Sequence, residues 1–568
     1  MAKMNGSQAV VKCLLEEEVS TIFGYPGGAV LDLYDALMDA PIKNVLVRHE
    51  QGAIHAADGF ARTTGKVGVA LLTSGPGATN GVTGIATAHA DSIPLVVITG
   101  QVSRNLIGND AFQEVDIVGI TRPCTKHNYL VTSRDDLVPT LREAFHIAAS
   151  GRPGPVLVDI PKDLQTAILN YPERTPVQMK SYQPHYEPHR GQIAKACKQI
   201  LKAKRPVICA GGGVISSDAS EDLVQLAERL HLPVTMTLMG LGAFPGMNPL
   251  SLGMLGMHGT YAANMAMANA DVIIAIGTRF ADRITGRLDS FAKEANVIHI
   301  DIDPTSISKN VRVDTPIVAD CKMALTAMNA WLDQEEQNID WREQAASVEA
   351  WLIKTIRDWQ LSHPLTYKDD RTIIKPQYVV QVLEKLTGGN AIITTEVGQN
   401  QMWTAQFYRF NHPRHFVSSG GLGTMGFGLP AAIGAQMANP GKLVIDIAGD
   451  GSIQMNIQEL ATAQQQGCRV KVAILNNRYL GMVRQWQELF YNRRYSSTPM
   501  EVAPDFVQLA KAYGAVGLRA TKRSEVEPVI KEALATDNLV LMDFVVEREE
   551  GVYPMIPAGK STTEMLLV

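Results

Sequence analysis

Cysteine is scarce: six residues in 568, at positions 13, 124, 197, 209, 321 and 468, with no Cys-x-x-Cys pair and no metal-ligand spacing. That excludes a disulfide scaffold and a zinc module, and it suits small buried hydrophobes in a reducing compartment. Charge is also low, at 19% against the usual ~25%. The charges nearly cancel, since 52 Lys+Arg against 57 Asp+Glu leave −5. No basic excess is available to engage nucleic-acid phosphates. No apolar run approaches the ~18 residues of a membrane span. The opening Met1–Gly6 leads into a helix-like pattern without a secretion-signal core. The expectation is a cytoplasmic protein with no nucleic-acid partner and no membrane span. Low charge further suits a surface partly covered by copies of the same chain, so an oligomer is expected.

What the chain does have is length and regular α/β patterning. At roughly 100–200 residues per domain it holds about three or four domains. Short apolar, β-branched runs recur at Val67–Leu72, Leu95–Thr99, Pro155–Ile160, Val207–Ala210, Val272–Ile276, Val297–Ile302, Ile392–Thr395, Leu443–Ala448 and Val470–Leu475. Runs of that kind, separated by amphipathic stretches, read as strands buried on both faces with helical crossovers. Two composition breaks, the proline-rich Tyr171–Arg190 and the Gln/Asp/Glu/Trp-rich Ala330–Lys375, divide the chain. Within the second break, Asp340–Gln360 has helical spacing. The fold class expected is α/β: three doubly wound parallel-sheet domains at about 1–170, 190–330 and 375–550, with linkers 171–190 and 331–374 and a tail 551–568. No sequence repeat relates the first domain to the third.

The sharpest chemical signal lies in the third domain. The strand Leu443–Ala448 runs into Gly449-Asp450-Gly451-Ser452 and a helical stretch Asn456–Gln466, and Val470–Leu475 then ends in Asn476-Asn477. Glycines at a strand's carboxyl end let backbone N–H groups approach phosphate, aided by the following helix's dipole. A carboxylate and an amide carbonyl at the ends of neighbouring strands form a hard-oxygen pair suited to Mg²⁺ on a diphosphate. Each segment alone is also an ordinary turn. In the middle domain, Val207–Ala210 leads into Gly211-Gly212-Gly213 and Val297–Ile302 carries Asp301, which reads as a nucleotide site or as tight turns.

These segments, 26 residues from Asp450 to Asn476, resemble the thiamine-diphosphate fingerprint. Over nearly its whole length the chain resembles the thiamine-diphosphate-dependent 2-keto-acid decarboxylase/ligase family, and within it the acetohydroxyacid synthases. The likeness rests on Phe23–Gly28, Arg48–Gly52, Thr73–Asn80, Asp110–Glu114, Leu252–Gly259, Ser419–Pro430 and Gly481–Gln487. It implies an N-terminal pyrimidine-binding domain, a Rossmann-like central FAD-binding domain and a third domain holding diphosphate and Mg²⁺. Glu50 matches the acid that shares a proton with the cofactor's pyrimidine, and Met425 the apolar wedge that bends the cofactor. By the same resemblance Gly27, Pro76, Asn80, Val397, Gly398, Gln399, Asn400, Gly423, Gly449, Gly451, Ser452 and Met482 bind thiamine diphosphate, and Asp450, Asn477 and Tyr479 hold the metal. Asn400 stands where the family usually has histidine; it keeps a hydrogen-bond donor for phosphate but no charge.

For FAD the matching positions are Arg152, Gly211, Gly212, Gly213, Thr237, Leu238, Met257, His258, Gly259, Gly277, Arg279, Asp301 and Asp320. Arg283 suits a 2-keto-acid carboxylate, Trp486 a roomy apolar wall, and Phe112, Gln113 and Lys162 the entrance. The usual Phe-Asp-Asp-Arg appears as Phe280-Ala281-Asp282-Arg283. Arg283, Trp486 and Lys162 also have bland readings as a surface arginine, a core tryptophan and a solvated lysine. The activity implied is decarboxylation of pyruvate to a cofactor-bound two-carbon unit and its addition to pyruvate or 2-ketobutyrate. The products are then 2-acetolactate or 2-aceto-2-hydroxybutyrate, early compounds of branched-chain amino-acid synthesis. Flavin would be structural or inherited, since no net electron transfer occurs; a flavin-using pyruvate oxidase is the alternative. The family implies a homodimer or homotetramer with the active site between subunits, a small regulatory subunit, and a tail from Gly551 to Gly559 acting as a lid.

Overall fold

The computed structural model describes residues 3–568. Three six-stranded parallel sheets follow one another along the chain, and a short antiparallel pair, Lys3–Asn5 with Ile168–Asn170, joins the ends of the first unit. The nine apolar runs are all strands within a residue or two of their expected bounds; Leu95–Gln101, Pro155–Pro161 and Lys471–Asn476, for example, are buried along their whole length. Burial on both faces is what removes the alternation of polar residues from such strands.

The first sheet contains Thr21–Tyr25, Lys43–Leu46, Gly68–Leu72, Leu95–Gln101, His127–Leu130 and Pro155–Pro161, in the spatial order second, first, third, fourth, sixth, fifth. The third sheet contains Ile392–Thr395, Phe416–Val417, Val444–Gly449, Lys471–Asn476, Val516–Ala520 and Val540–Val545 in the same order. A common topology therefore relates two units whose sequences show no repeat. The central sheet (Pro206–Ala210, Val234–Met236, Ser251–Met254, Val272–Ile276, Asn296–Asp301, Thr315–Val318) has the order third, second, first, fourth, fifth, sixth of a dinucleotide-binding fold. In each sheet the chain winds one way from the first strand and then the other, which opens a crevice at the strands' carboxyl ends.

Residues 171–189 carry no helix or strand, and the helix Arg190–Lys202 begins the central unit. The second break does carry a helix, continuous through Trp341–Trp351, Leu352–Ile356 and Arg357–Ser362. It buries Val348, Trp351 and Ile356, and the Trp351 indole donates to Pro206 O at 3.2 Å. One expectation shifts. The helix after Asp450 starts at Glu459, following a 3₁₀ turn Ile453–Met455, because Asn456 leaves helical geometry (φ −135°) and donates its amide to Gly426 O at 2.7 Å. The first half of the tail is packed onto the central unit: Val552, Met555 and Ile556 are buried and the Ile556 N–H donates to Met257 O at 2.9 Å. All six cysteines are free thiols, five of them buried. Among the described residues, no helix is long and apolar enough to cross a membrane.

The first and third units meet along two small-residue helices, Glu50–Thr64 and Gly428–Ala438. Alanine and glycine at the crossing let the backbones approach: a Cβ on Gly434 would lie 1.8 Å from Ala56 O, and one on Gly59 would lie 2.2 Å from Ala431 O.

Candidate active site

In the first unit, the expected residues Gly27, Glu50, Pro76, Asn80, Gln113 and Lys162 follow the carboxyl ends of its first, second, third, fourth and sixth strands. Glu50 opens the helix that follows the second strand and is buried, with 9% of its surface exposed. The side chain of Asn80, from the short helix Pro76–Asn80 after the third strand, donates to Glu50 Oε2 at 3.0 Å. A Cβ on Gly77 would lie 2.6 Å from Thr73 Cγ2 and 3.3 Å from Glu50 Oε1, and one on Gly27 would strike the Thr73 side chain at 2.5 Å, so both glycines make room for Thr73. Gly75, at φ +58°, lies against the Gln113 backbone. Lys162 Nζ donates to Gly28 O at 2.8 Å, which brings it to the same turn. Phe112 projects into solvent at 87% exposure.

The third unit places its residues around the crevice between its first and third strands. Val397-Gly398-Gln399 follows the first strand, with Gly398 at φ +147° just before the helix Gln399–Phe407. Gly449-Asp450-Gly451-Ser452 follows the third strand, and Asn477 and Tyr479 follow the neighbouring fourth. Asp450 is buried and its Oδ2 has no hydrogen-bond partner among the described residues. Burial pushes this carboxyl up to about 7, opposed by backbone N–H groups that include those of Asn477 and Arg478. A bare, buried carboxylate oxygen is what a hard cation would satisfy, so the donor set fits Mg²⁺. Asn477 Oδ1 accepts from the Tyr479 N–H at 3.1 Å, and Asn477 Nδ2 donates to Gln399 Oε1 at 3.1 Å. Gly423, at φ +72°, lies 3.9 Å (Cβ position) from Val397, on the loop that carries half-buried Met425. Met482 and Trp486 lie on the helix Gly481–Phe490, where the Trp486 indole N–H is buried with no partner among the described residues.

Asn400 departs from its expected role. Its Nδ2 donates to Glu396 O at 2.9 Å and Ile447 O at 2.8 Å, which uses both N–H bonds. No side-chain donor is left for phosphate, and the residue instead ties the first strand's exit to the third strand.

Sequence reasoning missed the groups that hold these loops. Glu396 is fully buried and accepts from Gly426 N at 2.7 Å and Leu429 N at 3.2 Å, on either side of the turn after Met425. Burial beside Asp446 raises the Glu396 carboxyl well above its ordinary range. Glu459 is also fully buried and accepts from the Arg48 N–H at 3.0 and 3.2 Å, two residues before Glu50. Arg62 bridges Asp58 and Asp91, and Asp91 in turn caps the N–H groups of Gly420 and Gly421 at 3.1 and 2.7 Å. Thr87 Oγ1 meets Thr424 Oγ1 at 2.7 Å. The one available signal was Asp58 and Arg62 at helical spacing inside an otherwise Ala/Gly-rich helix.

The central unit arranges its expected residues at its own strand ends. Gly211–Gly213 after the first strand pack on Gly277 after the fourth, and a Cβ on Gly211 would lie 2.2 Å from Gly277 O. Thr237 and Leu238 follow the second strand, Met257-His258-Gly259 the third, and Asp301 ends the fifth. Asp320 caps the helix Cys321–Gln334. Burial holds His258 neutral, lowering it to about 4, with its Nδ1 3.3 Å from Pro554 O; burial raises Asp301 to about 6. Arg152 donates to Asp303 at 3.1 Å and Arg279 to Ala90 O at 2.7 Å, joining this crevice to the first unit. The strand order reverses between the first and fourth strands, and a crevice at such a switch point fits a dinucleotide such as FAD. Arg283 is exposed and pairs with its neighbour Asp282 at 2.7 Å.

Family profiles agree with this layout. Those described as the N-terminal TPP binding domain, the central domain and the C-terminal TPP binding domain of thiamine pyrophosphate enzymes match residues 4–120, 193–328 and 396–544. A three-domain thiamine pyrophosphate enzyme is thus the class that fold and profiles define. The chain is 50% identical over 571 residues to the acetolactate synthase large subunit of Haemophilus influenzae, covering 100% of this chain and 99% of that one. It is 51% identical to the acetolactate synthase isozyme 3 large subunit of Escherichia coli over 579 residues, with coverage of 100% and 99%. A probable acetolactate synthase large subunit of Methanocaldococcus jannaschii is 50% identical over 571 residues, covering 99% of this chain and 95% of that one. The chain belongs to the acetolactate synthase large-subunit family.

Proposed function

We propose that the chain converts pyruvate and a second 2-keto acid, pyruvate or 2-ketobutyrate, into CO₂ and 2-acetolactate or 2-aceto-2-hydroxybutyrate. The observation that carries this reading is Asp450 Oδ2, bare and buried at the switch point of the third unit. It is joined by Glu50, which follows a strand of the topologically identical first unit. Thiamine diphosphate, when bound, supplies the carbon acid that carries the two-carbon unit; the rest of the work falls to side chains.

Asp450, Asn477 and the Tyr479 carbonyl would hold Mg²⁺. The N–H groups opening the helix Gln399–Phe407, with those of Gly451 and Ser452, would face the diphosphate. Glu50 would hold a proton at Oε1 against the pyrimidine ring while Asn80 fixes Oε2. Met425 would press on the middle of the cofactor. Arg283 would pair with a substrate carboxylate, which requires it to leave Asp282. Trp486 would shape an apolar wall, where one methylene is worth ~1–3 kcal/mol in the choice between the second substrates.

Glu50 and Asp450 would meet in two copies of the chain, the first unit of one facing the third unit of the other. Low overall charge and the exposed Phe112, Val483 and Val502 support a covered surface. A small regulatory subunit suits relatives named as large subunits, and free buried thiols suit the cytoplasm. FAD in the central crevice would be structural.

Purified protein given pyruvate, thiamine diphosphate and Mg²⁺ is expected to release CO₂ and form 2-acetolactate by mass spectrometry, without oxygen uptake. Acetate or acetyl phosphate formed with oxygen consumption would overturn the reading in favour of a pyruvate oxidase.

A further inference from the structure

A buried chain of three side-chain amides starts at Asn477 and ends on backbone. Asn477 Nδ2 donates to Gln399 Oε1 at 3.1 Å. Gln399 Nε2 donates to Gln485 Oε1 and to Glu550 O, both at 2.9 Å. Gln485 Oε1 also accepts from the Val552 N–H at 2.8 Å, and Gln485 Nε2 donates to Val552 O at 3.0 Å. Asn477, Gln399, Gln485 and Val552 are 5%, 3%, 0% and 0% exposed, so water cannot replace any link.

The end of the chain settles its direction. An amide side chain can be turned over at little steric cost, but a backbone N–H only donates and a carbonyl only accepts. Val552 presents one of each to Gln485, which fixes which end of Gln485 is oxygen. That oxygen then fixes Gln399, and Gln399 Oε1 fixes Asn477. At the far end Asn477 must turn Nδ2 inward and keep Oδ1 outward, where it accepts one bond from the Tyr479 N–H and has a second lone pair free. Gly481 makes the approach possible: a Cβ there would lie 2.1 Å from Gln399 Oε1 and 2.7 Å from Asn477 Nδ2.

We propose that Gln485 and Gln399 are positioning residues that, read from the Val552 backbone, hold the Asn477 amide oxygen-outward for the divalent cation. This rests on Asp450 and Asn477 being the cation's ligands. It gives the packed start of the tail a role inside the cofactor site: residues 550–552 set the polarity of a ligand on a strand end of the third unit.

The test uses the full-length protein with thiamine diphosphate and Mn²⁺ as probe, free Mn²⁺ being read by EPR. Gln485→Met removes the polar link while keeping length, and Mn²⁺ affinity is expected to fall by about 10–100-fold, the range for partners that orient a metal ligand. In an N477D background both terminal atoms are oxygen and orientation no longer matters, so the same Q485M change is expected to cost less than twofold. Gln399→Met cuts the chain one link nearer and is expected to give the same pattern. Parental affinity in Q485M and Q399M, or an equal loss with and without N477D, would overturn the inference. Asp450→Asn is the separate control: strong Mn²⁺ binding there would refute the ligand assignment itself, whatever the relay does.

Discussion

Replacing Gly434 by alanine tests the packing that joins the first and third units. The added Cβ would lie 1.8 Å from Ala56 O and 2.7 Å from Ala56 C, both backbone atoms of a buried helix that cannot swing aside. Restoring an ordinary carbon–oxygen contact requires the helices to part by about 1.5 Å. Helix propensity works the other way, since alanine in a helix interior is worth ~0.8–1.0 kcal/mol over glycine. Overpacking of this kind costs ~1–3 kcal/mol and occasionally more, and rigid backbone on both sides puts it at the upper end. The variant is therefore expected to unfold at lower temperature despite its better helix former. Function should suffer more, because Ala56 lies about 9 Å along the same helix from Glu50, and a misplacement of ~1 Å near the reacting groups can cost 10²-fold. Differential scanning calorimetry with turnover at saturating cofactor would measure both. Gly441→Ala, where nothing lies within 4 Å, is the neutral control. A G434A protein matching its parent in midpoint and turnover would show that the two helices do not cross this closely.

Three further outcomes are expected. Glu50→Gln should lower turnover by ~10²–10⁴-fold and slow hydrogen–deuterium exchange at the cofactor's reactive carbon; parental exchange rates would remove Glu50 from that role. Asp450 sits at about 7 when metal-free, above its unfolded value of ~3.9. Protonation therefore favours the folded metal-free chain, which gains stability from this group as pH falls from 7 toward 4, while apparent Mn²⁺ affinity falls about tenfold per pH unit over the same range. Melting curves against pH, with and without metal and with D450N as reference, read that sign; an opposite slope would contradict it. Glu459→Gln sets an N–H₂ group against the Arg48 N–H inside a dry interface, a loss of ~1–3 kcal/mol that denaturant unfolding should register, whereas an unchanged midpoint would deny the clamp.

Strands were legible because burial on both faces writes them as continuous apolar runs, and Asp450 and Asn477 because each ends such a run. Topology was not: the shared strand order of the first and third units depends on which strands pair, and pairing leaves no mark in sequences as different as Gly68–Leu72 and Val444–Gly449. Asn400 was misread for a related reason. Its residue type permits a phosphate contact, but only the folded strand ends show that Glu396 O and Ile447 O have taken both its N–H bonds. Glu396, Glu459 and Gln485 were invisible because a buried carboxylate or amide is spelled like an exposed one. Their partners lie 30 or more residues away in the chain, and a sequence carries no sign of that distance.

On the proposed function, a carboxylate and an asparagine would make a proton site in one unit and a cation site in the other, and the two asparagine amides point opposite ways. Each unit pairs a buried carboxylate with an asparagine from the next turn of the fold: Glu50 with Asn80, and Asp450 with Asn477. Asn80 points its N–H₂ group at Glu50 Oε2, which satisfies that oxygen and repels any cation. Asn477 turns its N–H₂ group away to Gln399, and Asp450 Oδ2 is left bare. A carboxylate with one oxygen satisfied by an amide can still share a proton at its second oxygen. One with an unsatisfied oxygen and a neighbouring carbonyl is stable only when a cation or a proton arrives. A common topology would thus serve two electrostatic tasks in the proposed reaction, with one amide in each unit turned to suit its own.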